Sequence, residues 1–362
     1  MENKIIYRMV VVPDIHLKRT DPLGVIGEDG LNTRLRDKLN AVGHCVKTAV
    51  EKEATHLVFL GDIFETINPS EKLRELFWSE VAPAIEKDIE IRIIIGNHDM
   101  TGQTHNLASD KLTARKSIQI YGSGSHTEYL QVEDKQIVVN YIPYTEDKPH
   151  FHENTDILFA HLEVDGAILG DDNMPMRNPL KPKDIPGRLR WLGHIHKFQE
   201  FKPGFGYLGS CTQCGFGEVG QKKFFGVCDI MNDSKITFAY EEIPQRPMYQ
   251  VQVEESNPDN LYISEAVPKN LQVKGALLKF KFVGSREWLQ SVDKHSFKKR
   301  FGNAMKVEIA DEKLDTDRVE TLENKSASME ERVHLYAGTK KKGKEFLEVG
   351  VELAKLAKEI EL

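Results

Sequence analysis

The 362-residue sequence contains only four cysteines, Cys45, Cys211, Cys214 and Cys228, which is too few for a disulfide framework. It has no apolar run near the roughly 20 residues of a membrane span. Its first residues lack the uncharged core and cleavage site of a signal peptide. An excess of positive charge is also absent, since 49 Lys and Arg against 56 Asp and Glu give a net charge of −7. We therefore expect a cytoplasmic protein in a reducing compartment with no membrane partner. Any nucleic-acid contact must come from a local patch or from bound cations.

The composition is that of an ordinary globular protein, with 40% hydrophobic and 29% charged residues. Short apolar runs at 5–12, 56–60 and 91–95 indicate buried strands. They alternate with helical patterns, the first at 31–53 and the second capped by Ser70. Successive strands follow in the second half of this region. The pattern predicts the α/β class, with packed sheets and helices on their faces.

The length predicts two domains and a tail. We place a first domain at 1–244, a small α+β domain at 245–311, and a polar linker with a helical tail at 312–362. The last helix has an apolar seam at intervals of three and four, which is typical of a coiled coil. Two interpretations stay open for this seam: docking onto the protein's own core, or binding of a partner helix. The seam residues are Phe346, Val349, Leu353, Leu356 and Ile360.

Polar side chains follow five apolar strands at the point where each strand ends. In open α/β sheets, ligands gather at the carboxyl ends of the strands, so these side chains are expected to converge. Carboxylates, an amide and imidazoles together suit divalent metals such as Mn, Fe or Zn. A lone histidine at a strand end is usually only a satisfied polar group, but five such runs in order predict a dinuclear metal site. The runs are Asp14-Ile15-His16, Gly61-Asp62, Gly96-Asn97-His98-Asp99, His161 and Gly193-His194-Ile195-His196.

This series resembles the calcineurin-like metallophosphoesterases, and within them the SbcD-type nuclease subunits of double-strand-break repair and recombination, including their phage relatives. Further motifs point to that branch. They are Gly61-Asp62-Ile63-Phe64 with Asn68-Pro69-Ser70, the run from His161 to Ala167, Leu192 to His196, and Tyr207 to Ser210 with Phe216, Glu218 and Lys222 or Lys223. The resemblance covers residues 14 to about 225 and implies a sandwich of two packed β-sheets flanked by helices. Beyond it, only the layout of a small capping domain and a helical tail matches.

The resemblance implies a ligand set for two divalent ions, with Mn²⁺ the expected metal. One ion would be held by Asp14, His16, Asp62 and His196. The other would be held by Asp62, Asn97, His161 and His194, with Asp62 as the bridge. His98 would face the scissile phosphate and act on the leaving oxygen. Asp99 would either orient the imidazole of His98 or cap a helix, and both roles stay open.

The implied function is a DNA nuclease, a 3′-to-5′ exonuclease and endonuclease in which a metal-bridging hydroxide attacks the phosphodiester. It would act as a homodimer with an SbcC-type ATPase, in DNA repair, recombination or phage DNA metabolism. The apolar seam of the tail would bind that ATPase. Two alternatives remain: a phosphodiesterase or phosphatase acting on small substrates, and a non-catalytic scaffold for the ATPase.

Three weaker signals accompany the main motifs. Glu65 stands where the family commonly has Asp or His, and it would support a ligand or contact DNA. Cys211 and Cys214 have the spacing of half a zinc site, although loop packing is the simpler interpretation. A basic cluster in the capping domain is a candidate contact for a phosphate backbone, or merely a solvated face. Its members are Lys294, Lys298, Lys299 and Arg300.

Overall fold

A computed structural model describes residues 4–101, 104–107, 110, 114–168, 179–255 and 273–313. Strands alternate with helices through the first hundred residues, as the sequence predicts. Asn32 and Ser70 cap the two long helices by accepting from the backbone N–H of Arg34 and Leu73, and the structure thereby confirms Ser70 as a cap. These elements are β1 Ile5–Val12, α1 Thr33–Glu51, β2 His56–Phe59, α2 Glu71–Glu86 and β3 Glu90–Ile94.

Between residues 100 and 242 the regular structure consists mostly of successive strands, in agreement with the run of strands that the sequence predicts after the first helices. They are β4 Met100–Thr101, β5 Thr104–His105, β6 Ile118–Tyr121, β7 His126–Val132, β8 Lys135–Ile142, β9 Ile157–His161, β10 Leu189–Gly193, β11 Gln199–Lys202, β12 Phe205–Tyr207, β13 Phe224–Met231 and β14 Ile236–Glu242.

Two six-stranded mixed sheets are built from these strands. The first has the order β14-β13-β1-β2-β3-β6, in which β1, β2, β3 and β6 are parallel and β13 is antiparallel to β1. The second has the order β11-β12-β10-β9-β8-β7, in which β12, β10, β9 and β8 are parallel. All the parallel strands of a sheet end at one edge, so the residues that follow them are brought together.

The core lies in layers because side chains alternate between the two faces of a strand. One buried cluster, which includes Met9, Val58, Tyr141, Phe159 and Trp191, fills the space between the sheets. A second packs α1 and α2 onto the other face of the first sheet. A third covers the other face of the second sheet, where irregular segments rather than a long helix form the cover within the described residues. The α/β sandwich is therefore confirmed.

The chain divides into two compact units, and Lys279–Phe301 lies in the second of them. A three-stranded sheet follows the sandwich in sequence, with β15 Met248–Glu254, β16 Leu277–Gly284 and β17 Lys306–Lys313 in that order. Two short helices, α3 Arg286–Ser291 and α4 Lys294–Lys299, lie between β16 and β17. Among the helices of the described residues, none is both long and apolar enough to cross a membrane.

The predicted domain boundaries at 244 and 311 remain predictions. The five seam residues of the tail, Phe346, Val349, Leu353, Leu356 and Ile360, lie outside the described residues. The alternatives of self-docking and partner binding therefore both stay open.

Candidate metal centre

The seven predicted metal ligands converge at the edge where both sheets end their parallel strands. Asp14, Asp62 and Asn97 follow β1, β2 and β3, the three central neighbours of the first sheet. His161 is the last residue of β9, and His194 and His196 follow β10 in the second sheet. His16 lies in the same loop as Asp14. The site is therefore assembled from both layers of the sandwich.

Unusual backbone conformations bring these side chains into place. His16, Asp62 and His194 have positive φ angles of 56°, 48° and 94°, which non-glycine residues adopt only when the surrounding structure holds them there. The backbone N–H of His16 donates to the carbonyl of Asp62 at 2.8 Å, and this bond ties the two loops together. At Gly193, a Cβ would lie 2.5 Å from both Asp14 Oδ1 and the carbonyl of Leu60. Only glycine therefore permits the close approach of the two sheets at this point.

One half of the centre is formed by Asp14, His16, Asp62 and His196. The Nε2 atoms of His16 and His196 are 2.8 Å apart, and His16 Nε2 lies 3.4 Å from Asp62 Oδ2. Donor atoms of Asp14, His16 and His196 all lie within 4.8 Å of one another. Asp14 Oδ1 is buried and has no hydrogen-bond partner among the described residues. A buried carboxylate oxygen without a donor is costly unless a cation compensates it, so this half fits a metal ion.

The other half is formed by Asp62, Asn97, His161 and His194. Asn97 Oδ1 lies 3.0 Å from His161 Nε2 and 2.9 Å from His194 Nδ1. Asp62 Oδ2 lies 3.4 Å from His161 Nε2. Asp62 is therefore adjacent to both halves, as its predicted bridging position requires.

In His161 and His194, one ring nitrogen contacts an acceptor on the side away from the centre. This outer nitrogen leaves the other, inner nitrogen free to bind a metal. His161 Nδ1 lies 2.8 Å from the carbonyl of Leu60, and His194 Nε2 lies 3.3 Å from Glu163 Oε1. Carbonyl and ionised carboxylate oxygens only accept hydrogen bonds, so the outer nitrogens carry the protons. The inner nitrogens then present lone pairs to the centre. Imidazole, carboxylate and amide donors in this arrangement suit borderline divalent ions.

The electrostatics of the centre also favour a bound cation. Burial raises the pKa of Asp14 to about 7. Burial lowers the pKa of His161, but the nearby carboxylates of Asp62 and Asp14 raise it, to about 9 overall. Ionised carboxylates buried this completely need a positive partner. A divalent ion supplies that charge without protonating the imidazoles.

His98 lies beside this cluster and is held by a main-chain acceptor. Its ring centroid is 4.9 Å from that of His16, and its Nδ1 donates to the carbonyl of Glu65 at 3.1 Å. Its backbone N–H donates to Asp62 Oδ1 at 2.9 Å. The imidazole is partly exposed, so it can reach a bound substrate.

Asp99 accepts hydrogen bonds from backbone N–H groups, which agrees with the capping role, one of the two roles that the sequence left open. Its buried carboxylate accepts from the backbone N–H groups of Ile63 and Phe64 at 3.1 Å, from that of Gly96 at 3.3 Å, and from Asn106 Nδ2 at 3.2 Å. The expectation that Asp99 orients the imidazole of His98 is corrected, because Glu65 provides that contact. Asp99 instead joins the loop after β2 to the loop after β3.

Two buried lysines donate hydrogen bonds to the backbone carbonyls of His16 and His196, a feature that was not predicted from the sequence. Lys38 Nζ donates to the carbonyl of His16 at 2.6 Å, and Lys223 Nζ donates to the carbonyl of His196 at 3.0 Å. Lys223 also pairs with Glu218 at 2.7 Å. Lys38 lies on the apolar stripe of α1. A charged residue at such a position indicates from the sequence alone that it has a buried partner.

The two cysteines with zinc-like spacing lie in different surroundings. Cys211 Sγ is buried and lies 3.5 Å from the carbonyl of Pro13. Cys214 belongs instead to a cluster with His196 and Glu218. The simpler interpretation as loop packing is therefore the better one for Cys211.

The candidate DNA-binding cluster lies on and beside α4. Lys298, Lys299 and Arg300 are exposed, whereas Lys294 Nζ pairs with Asp311 at 2.7 Å. Phe297, within this cluster, and Phe301, directly after it, are 3% and 6% exposed, so they belong to the core and cannot stack on bases. The contact of this cluster with DNA stays a prediction.

Comparison with known proteins places this chain in a family. The profile of the calcineurin-like phosphoesterase family matches residues 7–208, a range that includes all seven converging residues. The SbcD component of the SbcCD nuclease from Staphylococcus epidermidis is 24% identical over 256 residues, covering 62% of this chain and 68% of that protein. A dimetal phosphatase from Danio rerio has a TM-score of 0.40 at 11% identity, covering 67% of this chain and all of the other. The Escherichia coli phosphoesterase YfcE has a TM-score of 0.30 at 15% identity, covering 66% of this chain and all of the other.

Proposed function

Because this chain belongs to the calcineurin-like phosphoesterases, which are metal-dependent hydrolases of phosphoester bonds, we propose that it is a DNA nuclease of the SbcD type. The observation that carries the proposal is the complete set of seven donor residues with His98 beside it. The similarity to a nuclease subunit supports DNA as the substrate. In this proposal the substrate is a phosphodiester whose phosphate lies between the metal centre and His98.

The residues are proposed to hold two ions in the predicted sets, one by Asp14, His16, Asp62 and His196, and the other by Asp62, Asn97, His161 and His194. When bound, divalent ions in such a site lower the pKa of water and withdraw charge from phosphoryl oxygens. Mn²⁺ is the proposed metal because N and O donors of this kind accommodate it.

His98 is proposed to act on the leaving oxygen. Its Nδ1 proton is held by the carbonyl of Glu65, so a second proton must sit on Nε2. Donation of that proton to the leaving oxygen offsets the charge that develops as the ester bond breaks. Such a general acid contributes about 10²–10⁴-fold to the rate.

The proposal extends to the partners implied by the resemblance. We propose an SbcC-type ATPase partner, a homodimer and a role in DNA repair, recombination or phage DNA metabolism in the cytoplasm. The similar protein is by name a subunit of a complex, which supports the ATPase partner. Hydrolysis of small phosphodiesters is the second candidate function, supported by the same donor set. A scaffold without catalysis fits poorly, since a scaffold has no need for a complete donor set.

The test is metal-dependent cleavage of labelled single- and double-stranded DNA, with bis(4-nitrophenyl) phosphate as a small diester. His98→Ala is compared with His150→Ala, whose parent side chain is exposed and is not one of the predicted site residues. We expect Mn²⁺-dependent cleavage of DNA that is lost in His98→Ala and retained in His150→Ala. Cleavage of the small diester alone, also with the ATPase partner present, would favour the second candidate. No hydrolysis of either substrate would contradict both.

A further inference from the structure

Glu65 contacts the imidazoles of both His16 and His98. It comes three residues after Asp62, in the loop after β2, and its backbone is fixed by a hydrogen bond from its N–H to the carbonyl of Leu17 at 3.0 Å. The preceding Phe64 is fully buried and pairs with Leu17 as an isolated β-bridge. The main chain is therefore held in place up to the N–H of Glu65.

Different groups of Glu65 face the two rings. Its Oε2 lies 3.2 Å from His16 Nδ1. Its carbonyl oxygen accepts from His98 Nδ1 at 3.1 Å. The two rings are nearly perpendicular, at 83°, with centroids 4.9 Å apart. One residue thus presents an acceptor to the outer nitrogen of each ring.

Those acceptors determine which nitrogen of each ring carries the proton. A carbonyl cannot donate, so Nδ1 of His98 carries a proton. His16 Nδ1 makes no hydrogen bond of standard geometry, but the negative carboxylate 3.2 Å away favours a proton on this nitrogen of the neutral ring. On the neutral ring of His16 the lone pair is then on Nε2. For His16 this is the atom that lies 2.8 Å from His196 Nε2 and 3.4 Å from Asp62 Oδ2.

We propose that Glu65 is a positioning residue for both histidines, acting on His16 through its carboxylate and on His98 through its carbonyl. The inference rests on the proposed function in that it assigns His16 to a metal and His98 to the substrate. It also separates the two effects, because a side-chain substitution removes the carboxylate and keeps the carbonyl.

The first experiment measures metal binding to the metal-free full-length protein by titration with Mn²⁺ in a calorimeter. We expect Glu65→Ala to weaken one of two binding steps by about 10–100-fold, the usual effect of removing the partner of a metal-bound histidine. Glu65→Gln, which keeps an acceptor and loses the charge, should fall between Ala and wild type. Glu86→Gln, at an exposed position of α2, is the matched control and should bind like wild type. The thermal midpoint of the metal-free protein should be unchanged in all variants.

The second experiment tests the carbonyl contact with a double-mutant cycle. His98→Ala should lower kcat on bis(4-nitrophenyl) phosphate by the same factor in the wild-type and Glu65→Ala backgrounds, because the carbonyl that holds His98 is present in both. A factor that differs more than about threefold would contradict this part. Imidazole ¹⁵N spectra of the metal-free wild type should show His16 and His98 protonated at Nδ1. A proton on Nε2 with none on Nδ1, in either ring, would overturn the proposal, even if the variants fail to fold.

The outcomes distinguish this role from the proposed function. If wild type binds two ions and Glu65→Ala binds them equally well, the role of Glu65 is refuted and the function stands. If wild type binds no divalent ion, the proposed function is refuted. If Glu65→Ala weakens one step and wild type cleaves the small diester but not DNA, the positioning role stands and DNA is excluded as the substrate.

Discussion

Glu128→Gln is expected to destabilise the fold by about 3 kcal/mol at pH 7, the lower end of the cost of breaking a buried ion pair by changing one partner. Glu128 accepts from Arg92 Nη2 at 2.6 Å and from Tyr141 Oη at 2.8 Å, and it lies 3.6 Å from His56 Nε2. Arg92 and Tyr141 are buried in the sandwich. The neutral amide of Gln removes the carboxylate that contacts Arg92 Nη2 and leaves Glu90, 3.0 Å from Nη1, as the remaining carboxylate partner of the guanidinium.

The destabilisation should depend on pH. Burial raises the pKa of Glu128, but hydrogen bonds from His56 and Arg92 outweigh it and hold the pKa well below its ordinary value of 4.5. A carboxyl with a lowered pKa stabilises the folded state above the pKa of the unfolded chain. That contribution falls as the pH falls from 4.5 toward the lowered value. The wild type therefore loses part of its advantage over Glu128→Gln in acid.

The assay is thermal unfolding followed by circular dichroism between pH 7 and pH 3 in the presence of a chelator. At roughly 2–4 °C per kcal/mol, the variant should melt about 6–12 °C lower at pH 7. The difference between variant and wild type should narrow steadily below pH 4.5, the ordinary pKa. Glu153→Gln, at an exposed position, is the control and should match wild type. A difference that is as large at pH 3 as at pH 7 would refute the assignment to the Glu128 charge.

Three further predictions concern the centre itself. Mn²⁺ at about one hundred times its dissociation constant should raise the free energy of unfolding by about 2.7 kcal/mol; a melting temperature that ignores Mn²⁺ would contradict a specific site. Asp99→Asn should cost about 2 kcal/mol in denaturant unfolding, because an amide replaces one acceptor oxygen by a donor that faces backbone N–H groups; unchanged stability would show that those contacts contribute little. Gly193→Ala should weaken metal binding in calorimetry by more than about tenfold, because the Cβ of the alanine would displace the carboxylate of Asp14. This is the effect expected of misplacing a ligand. Wild-type affinity would mean that the loops can separate without cost.

The sequence predicts the early elements well because local patterns specify them. The bounds of β1 agree with the prediction, and α1 differs from it by two residues at each end. The convergence of Asp14, Asp62 and Asn97 also followed from the sequence, because parallel strands that end together bring their successors together. The features that the sequence predicts are therefore those fixed by the spacing of residues along the chain.

The contacts around the ligands were not predictable in the same way. Glu163 and Lys38 reach the histidines from segments that no local rule connects to them. The contact of Glu65 with two rings depends on how the loops after β1, β2 and β3 fold over one another. The sequence did not predict β4, β5, β6, β7, β11 or β14, each of which is defined in the structure by its pairing with a neighbouring strand.

The division of the predicted ligands between two sheets has a consequence for assembly of the site. Asp14, Asp62 and Asn97 come from one sheet, and His161, His194 and His196 come from the other. A displacement of one sheet by a single residue is about 3.3 Å, which is larger than a metal–ligand bond tolerates. Metal affinity therefore measures the alignment of the two sheets. Substitutions deep in the sandwich, far from any ligand, should change metal affinity before they change the secondary structure.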